Sequence, residues 1–389
     1  MEAYSRERIV GFTEGRLGLW ETLQSWLHPA PTDHGPVEWA GEALFPARET
    51  GSFQWGYIRA DGRWVLPCGF GSAGVFSEGV AIVSTPEGTA LVNGAGALTP
   101  LDFHVAGIHE YWGGSPGRCS CGRIRAQGKM QAVYLDKSGR QISIRLTDSS
   151  RFPGSGMPFS DDRAVLETWE KGTETSRSGS KRSVFVDLDG TQVTPDFFDA
   201  RPFAEGLAPV HTREGWGYLD PEANWVLKPQ FESATPFSDG LAQVSGRRVI
   251  DRAGKTVFTL DGKHRVEPFA EGRAAVNVWD GKNHRHGYLA ADGSFAVPAK
   301  FSRTQAFSEG VGAVLHPKEG WGYIDRDGAF AIPPGFSEAG PFVDGLARVA
   351  VSIGKFDPNF GTLQREGYID REGSWVRSWE KNRPPPVRL

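Results

Sequence analysis

The chain is 389 residues long with a formal net charge of −4, too little charge of either sign to mark a nucleic-acid footprint. Its 50 Gly and 26 Pro are high, but 12% aromatic residues and a recurring apolar pattern exclude a disordered chain. No apolar signal core follows Met1 to Arg8, and no run approaches the roughly 18 to 20 apolar residues of a membrane span, so a cytoplasmic location is expected.

Residues 14–28 predict the one helix. Leu17, Trp20, Leu23, Gln24 and Leu27 recur at helical spacing, and Pro29 and Pro31 stop it. Residues 1–41 are therefore expected to form a helical cap that shields the first unit of a repeat array. From Glu42 the pattern changes to short strands, and Glu42 to Ala47 resembles the opening strand of that array.

The clearest unit runs from Gly320 to Val349. Trp321 to Asp325 and Phe330 to Pro333 alternate large apolar residues around the turn Arg326-Asp327-Gly328, a hairpin signature. Phe336 to Phe342 and then Gly345 to Val349 complete three or four strands without a helix. Equivalents of the turn glycine fall at Gly62, Gly96, Gly139, Gly190, Ala223, Gly254, Gly293, Gly328 and Gly373, about 39 residues apart on average. A second marker, Phe-x-acidic-Gly, recurs in the same register at Phe76, Phe203, Phe237, Phe269, Phe307 and Phe342. Phe159 to Val165 is a weaker copy, with Asp161 in the acidic place and Asp162 in that of Gly.

These copies resemble the WG-repeat proteins, a bacterial family whose units open on Trp-Gly-Tyr-Ile-Asp. Trp55-Gly56-Tyr57, Trp216-Gly217-Tyr218 and Trp321-Gly322-Tyr323 keep the full Trp-Gly-Tyr, whereas His286-Gly-Tyr288 and Glu366-Gly-Tyr368 keep Gly-Tyr. The resemblance spans about residues 53–376 and implies a repeat architecture and a binding habit rather than a reaction.

The expected fold is all-β: an array of eight to nine antiparallel meanders over residues 42–378, irregular between 99 and 182, with a disordered tail at 379–389. A propeller-like ring is favoured over an open superhelix. The third residue of the Gly-Leu-Ala-x-Val strand is always small, at Ala81, Ala208, Ala242, Ala274, Gly312 and Ala347, which suggests an inner strand crowded at an axis. The Gly-Tyr-Ile-Asp and Trp-Val-x-Pro strands then form the middle pair and the Phe segment the outer edge. Pro67, Pro195, Pro229, Pro298 and Pro333 are expected to end the third strand. Asp136, Asp187, Asp220, Asp251, Asp325 and Asp370, with Asn93, each enter a turn, where capping explains them better than calcium.

Recognition is expected where inserts break the pattern. The candidate partner-binding residues are Tyr111, Trp112, Arg118, Arg123 and Arg125 in residues 99–131, Trp169 in residues 146–182, and Trp279 and His284 in the loop before His286. Cys68, Cys119 and Cys121 lack the second pair of a four-ligand metal site, so no metal or cofactor is expected. There is no Gly-x-Ser-x-Gly, His-Glu-x-x-His or phosphate-loop motif. The expected function is a non-catalytic scaffold for a protein partner, a cognate bacterial toxin to be neutralised being one such partner. The alternative is a hydrolase acting on a glycan or small ester through carboxylates in a central pocket.

Overall fold

The structure, a computed structural model, describes residues 40–101, 119–127, 132–170, 181–262, 264–279, 281–357 and 361–381. The expected helix at 14–28 lies outside them. Among the described residues there is no helix, and strands fold into nine small antiparallel sheets arranged as a propeller ring. In chain order the blades span 45–70, 72–100, 119–142, 151–186, 199–231, 241–259, 264–301, 303–336 and 338–381. The last strand, Trp375–Lys381, runs past the expected array boundary at 378.

Blade 8 is representative. Arg303–Ser308, Val311–His316, Gly320–Ile324 and Phe330–Phe336 pair in simple succession. This order corrects the expected one. The Gly-Leu-Ala-x-Val strand is second, paired on both sides, and the Phe segment and the Trp-Val-x-Pro strand are the two edges. The small column has a different cause too. Phe342 lies directly across from Ala347, and Phe307 across from Gly312. A Cβ on Gly312 would meet the Tyr288 hydroxyl at 2.7 Å and the Phe307 ring at 3.0 Å, so the column makes room for rings.

Four of the five prolines do not end their strands, and Pro195 lies in no strand. Trp64–Phe70, Trp225–Phe231, Phe295–Phe301 and Phe330–Phe336 all continue beyond Pro67, Pro229, Pro298 and Pro333. Each of these prolines sits where the register shifts opposite the motif glycine, and a bulge there needs no ladder donor. The motif glycine is needed for the same reason. A Cβ on Gly287 would stand 2.5 Å from the Val297 carbonyl oxygen, and one on Gly56 2.4 Å from that of Leu66.

The aspartates do cap their turns. Asp325 Oδ1 accepts from the backbone N–H of Asp327 at 3.0 Å and of Ala329 at 2.9 Å, and Asn93 Oδ1 does the same for Ala95 and Ala97. Hydrogen bonds from Ser138 and Arg140 outweigh burial at Asp136 and hold its pKa down at about 2.

Neighbouring blades share apolar clusters and three recurrent polar links. The motif tyrosine donates to a carbonyl at the start of the next blade: Tyr57 to Gly74, Tyr134 to Met157, Tyr218 to Thr235, Tyr288 to Gln305 and Tyr323 to Gly340, at 2.7 to 2.9 Å. Burial raises the pKa of all five phenols, which keeps them donors. The acid of Phe-x-acidic-Gly accepts from the glycine N–H of the same turn one blade on, as Asp161 does from Gly206, Glu205 from Gly240, Asp239 from Gly272, Glu271 from Gly310 and Glu309 from Gly345. A base from that next blade joins in, Arg326 on Glu271 at 3.1 Å and Arg371 on Glu309 at 2.9 Å.

The ring closes between blades 9 and 1. Blade 1 has three strands, Phe45–Arg48, Trp55–Ile58 and Trp64–Phe70, with no Phe segment among the described residues. Phe45 occupies the small column and supplies the missing ring, 5.4 Å and edge-on to Tyr368, as Phe342 is 5.0 Å from Tyr323. One apolar cluster joins Leu346, Tyr368 and Trp379 to Leu44, Phe45, Trp55 and Tyr57. Glu366, in the place of the motif Trp, is fully buried and bound by Arg348 at 2.8 Å and the Trp379 indole N–H at 3.2 Å.

Candidate functional site

The side chains best placed to receive a ligand line a cleft of about 650 Å³ between blades 4 and 5. Arg182 opens the strand Arg182–Val186 of blade 4, and Asp196 to Phe198 follow in the link to blade 5. His211 and Thr212 end the strand Ala208–Thr212, Arg213 and Glu214 form its hairpin, and Trp225, Lys228 and Pro229 belong to the edge strand Trp225–Phe231. The hairpin is tied by Thr212, whose hydroxyl donates to the Gly215 carbonyl at 3.2 Å and accepts from the Glu214 N–H.

A ladder of rings and cations leads from the repeat core to the cleft wall. Trp216, the buried motif tryptophan, stacks on His211 at 5.1 Å with 11° between the planes. His211 lies 5.9 Å from Phe198, and the Arg182 guanidinium covers Phe198 at 4.4 Å, while Arg201 covers Trp216 at 5.3 Å. Phe198 and Trp225 stay open to solvent at 38% and 39%. The Trp225 ring rests against Gly217, where a Cβ would come within 2.8 Å of it.

The charges are unbalanced. Asp196 is offset from behind by Arg151, a buried guanidinium 3.5 Å away that also donates to Thr168. Among the described residues Glu214 is then the remaining acid of the lining, set against Arg182, Arg213 and Lys228. Among the described residues none of these three cations has a carboxylate within ion-pair distance. The cleft therefore offers two aromatic walls and a surplus of positive charge.

The residues proposed from sequence are dispersed. Tyr111, Trp112 and Arg118 lie outside the described residues. Arg123 is half-buried and donates to the Leu188 carbonyl at 2.8 Å, linking blades 3 and 4, and Arg125 is half-buried opposite Tyr134. Trp169 packs over Gly154 within blade 4. Trp279 and His284 do meet, ring to ring at 4.8 Å, with His284 Nδ1 2.7 Å from Asn277 Oδ1 and Trp279 43% exposed. Beside them burial first, then His284 and Arg303, lower the pKa of His286.

Among the described residues no three His, Cys, Asp or Glu side chains are grouped to hold a metal ion, and no helix is long and apolar enough to cross a membrane. Cys68 is half-buried, and burial raises its thiol pKa.

A family model described as WG containing repeat matches residues 55–85, 216–245 and 321–351. The chain carries WG repeats. The tryptophan of the second matched WG repeat thus backs the cleft through its stack on His211. No curated protein matches the chain in sequence. Among solved structures, apo AztD from Citrobacter koseri is similar at 13% identity over 87% of this chain and 94% of its own, with a TM-score of 0.40. A dihydro-heme d1 dehydrogenase, NirN, covers 92% of this chain and 77% of its own at 11% identity and TM-score 0.39. The WD40 domain of SCAP from fission yeast covers 89% and 88% at 10% identity and TM-score 0.28.

Proposed function

We propose that the ring is a non-catalytic scaffold that binds a protein partner, with the cleft between blades 4 and 5 as its principal contact. One observation supports this above others: two open aromatic side chains and three cations, without carboxylate partners among the described residues, gather in one cleft between blades 4 and 5. Aromatic side chains and Arg are those that most often anchor interfaces, and a rigid support lowers the ordering cost of binding. The buried carboxylate most open to a hydrolytic reading, Glu366, is engaged by Arg348 and Trp379 at the ring seam. A cognate toxin to be neutralised is the partner class in view.

The experiment is affinity capture on the immobilised ring, followed by titration of each purified candidate partner against the wild type by calorimetry. A saturable one-to-one isotherm supports the proposal, and growth protection on co-expression distinguishes a neutralised toxin from another partner. Failure of every captured protein to bind when purified would remove it.

A further inference from the structure

The chemistry of the cleft narrows what its occupant must be. Arg182, Arg213 and Lys228 come from three separate elements, a strand start, a hairpin and an edge strand, so they present positive charge along the cleft rather than as one cradle for a single anion. Phe198 and Trp225 supply flat apolar walls among them. Trp225–Phe231 is an edge of its four-stranded sheet, and an edge strand offers backbone donors and acceptors to an extended chain.

We infer that the cleft binds an extended acidic peptide segment of the partner, its carboxylates taken by Arg213, Lys228 and Arg182 and a large apolar side chain held between Phe198 and Trp225. The inference rests on the scaffold reading and specifies the partner's contact chemistry. Asp196 takes no part, because Arg151 already offsets it. Glu214 disfavours an acidic ligand less than the three cations favour one, so the cleft discriminates by sign of charge.

The test uses the full chain and a fluorescein-labelled peptide with glutamates flanking a central tryptophan, read by fluorescence anisotropy. The wild type is expected to bind with a Kd below about 100 μM, and binding should weaken as salt rises. Arg213→Glu and Lys228→Glu change side chains at the cleft surface and should leave the ring folded by circular dichroism; each is expected to weaken binding by about tenfold or more. Phe198→Ala should weaken the tryptophan peptide more than a version with alanine in its place. Equal binding by the charge-reversed variants, equal binding of a lysine-for-glutamate peptide, or no binding by the wild type would overturn the inference. So would displacement of the peptide by ATP at lower concentration than by unlabelled peptide, which would make the cleft a small-anion site. A purified partner that binds the wild type and Arg213→Glu alike would leave the scaffold reading standing while removing the cleft from it.

Discussion

The phenol of Tyr368 donates a 3.1 Å hydrogen bond to the carbonyl oxygen of Pro46, across 322 positions of chain. Its counterparts Tyr57, Tyr218, Tyr288 and Tyr323 each reach only 17 residues forward, to the start of the following blade. Tyr368 has no following blade in sequence. The bond is instead made to blade 1, where Phe45 replaces the ring that a Phe segment would have brought.

Tyr368→Phe removes this donor and leaves the Pro46 oxygen without it. A loss of about 1 kcal/mol is expected, with Tyr323→Phe costing a similar amount at an internal joint. Urea titration followed by tryptophan fluorescence checks both. Because burial raises the Tyr323 pKa, its loss should not depend on pH between about 6 and 9 by more than about 0.3 kcal/mol.

Gly287→Ala places a methyl 2.5 Å from the Val297 carbonyl oxygen and 2.8 Å from the Ala299 nitrogen, contacts with backbone that a rotamer change cannot relieve. A destabilisation of at least about 2 kcal/mol is expected. Gly335→Ala, where nothing lies within 4 Å, is the control and should cost less than about 1 kcal/mol. Differential denaturation of the two variants measures the contrast.

Asp136 titrates at about 2 in the fold against an ordinary 3.8. A lowered carboxylate stabilises the fold above its unfolded pKa, and that contribution is lost as pH falls from 3.8 towards 2. Asp136→Asn keeps the turn-capping oxygen, as Asn93 does in blade 2, but loses the charge that Arg140 pairs with at 3.0 Å, so near pH 7 it should be less stable than the wild type by up to about 1 kcal/mol, a gap that closes as pH falls from 3.8 towards 2. Below about pH 4 its stability should fall less steeply than that of the wild type. Melting temperatures at a series of pH values read the difference directly.

The local chemistry of the fold is legible in the sequence, and its long-range chemistry is not. Asp325 and Gly328 announce a capped turn because both partners lie within a few residues. Phe342, Asp344 and Gly345 mark a recurrent turn equally well, but the acid in such a turn binds a glycine one blade away, and no local pattern names that partner. The small column suggests crowding at an axis when read along one strand, because the ring that causes it sits on the adjacent strand, before the turn. Phe45, large where Ala347 and its equivalents are small, is the available sign that blade 1 differs and that it meets blade 9. The cleft is hidden because Arg182, Phe198, His211 and Trp225 come from two blades joined by a poor repeat copy, whereas the inserts hold denser runs of Trp and Arg. His211 beside a regular hairpin is the signal, since its ring stacks on the motif Trp216.

Closure of the ring is tested most directly by disulfide trapping across the seam. A Cβ at Gly62 would lie 3.1 Å from Val376 Cγ1, the place a sulfur at position 376 would take; it would also stand 2.9 Å from the Val376 carbonyl oxygen at a φ of +82°, so the trap is read in a double variant shown to be folded by circular dichroism. In a chain with Cys68, Cys119 and Cys121 replaced by Ser, the pair Gly62→Cys and Val376→Cys should oxidise intramolecularly and run faster on a non-reducing gel. Each single variant should not. An open array holds the two positions at opposite ends, and absence of the fast band in a folded double variant would contradict the closed nine-bladed ring.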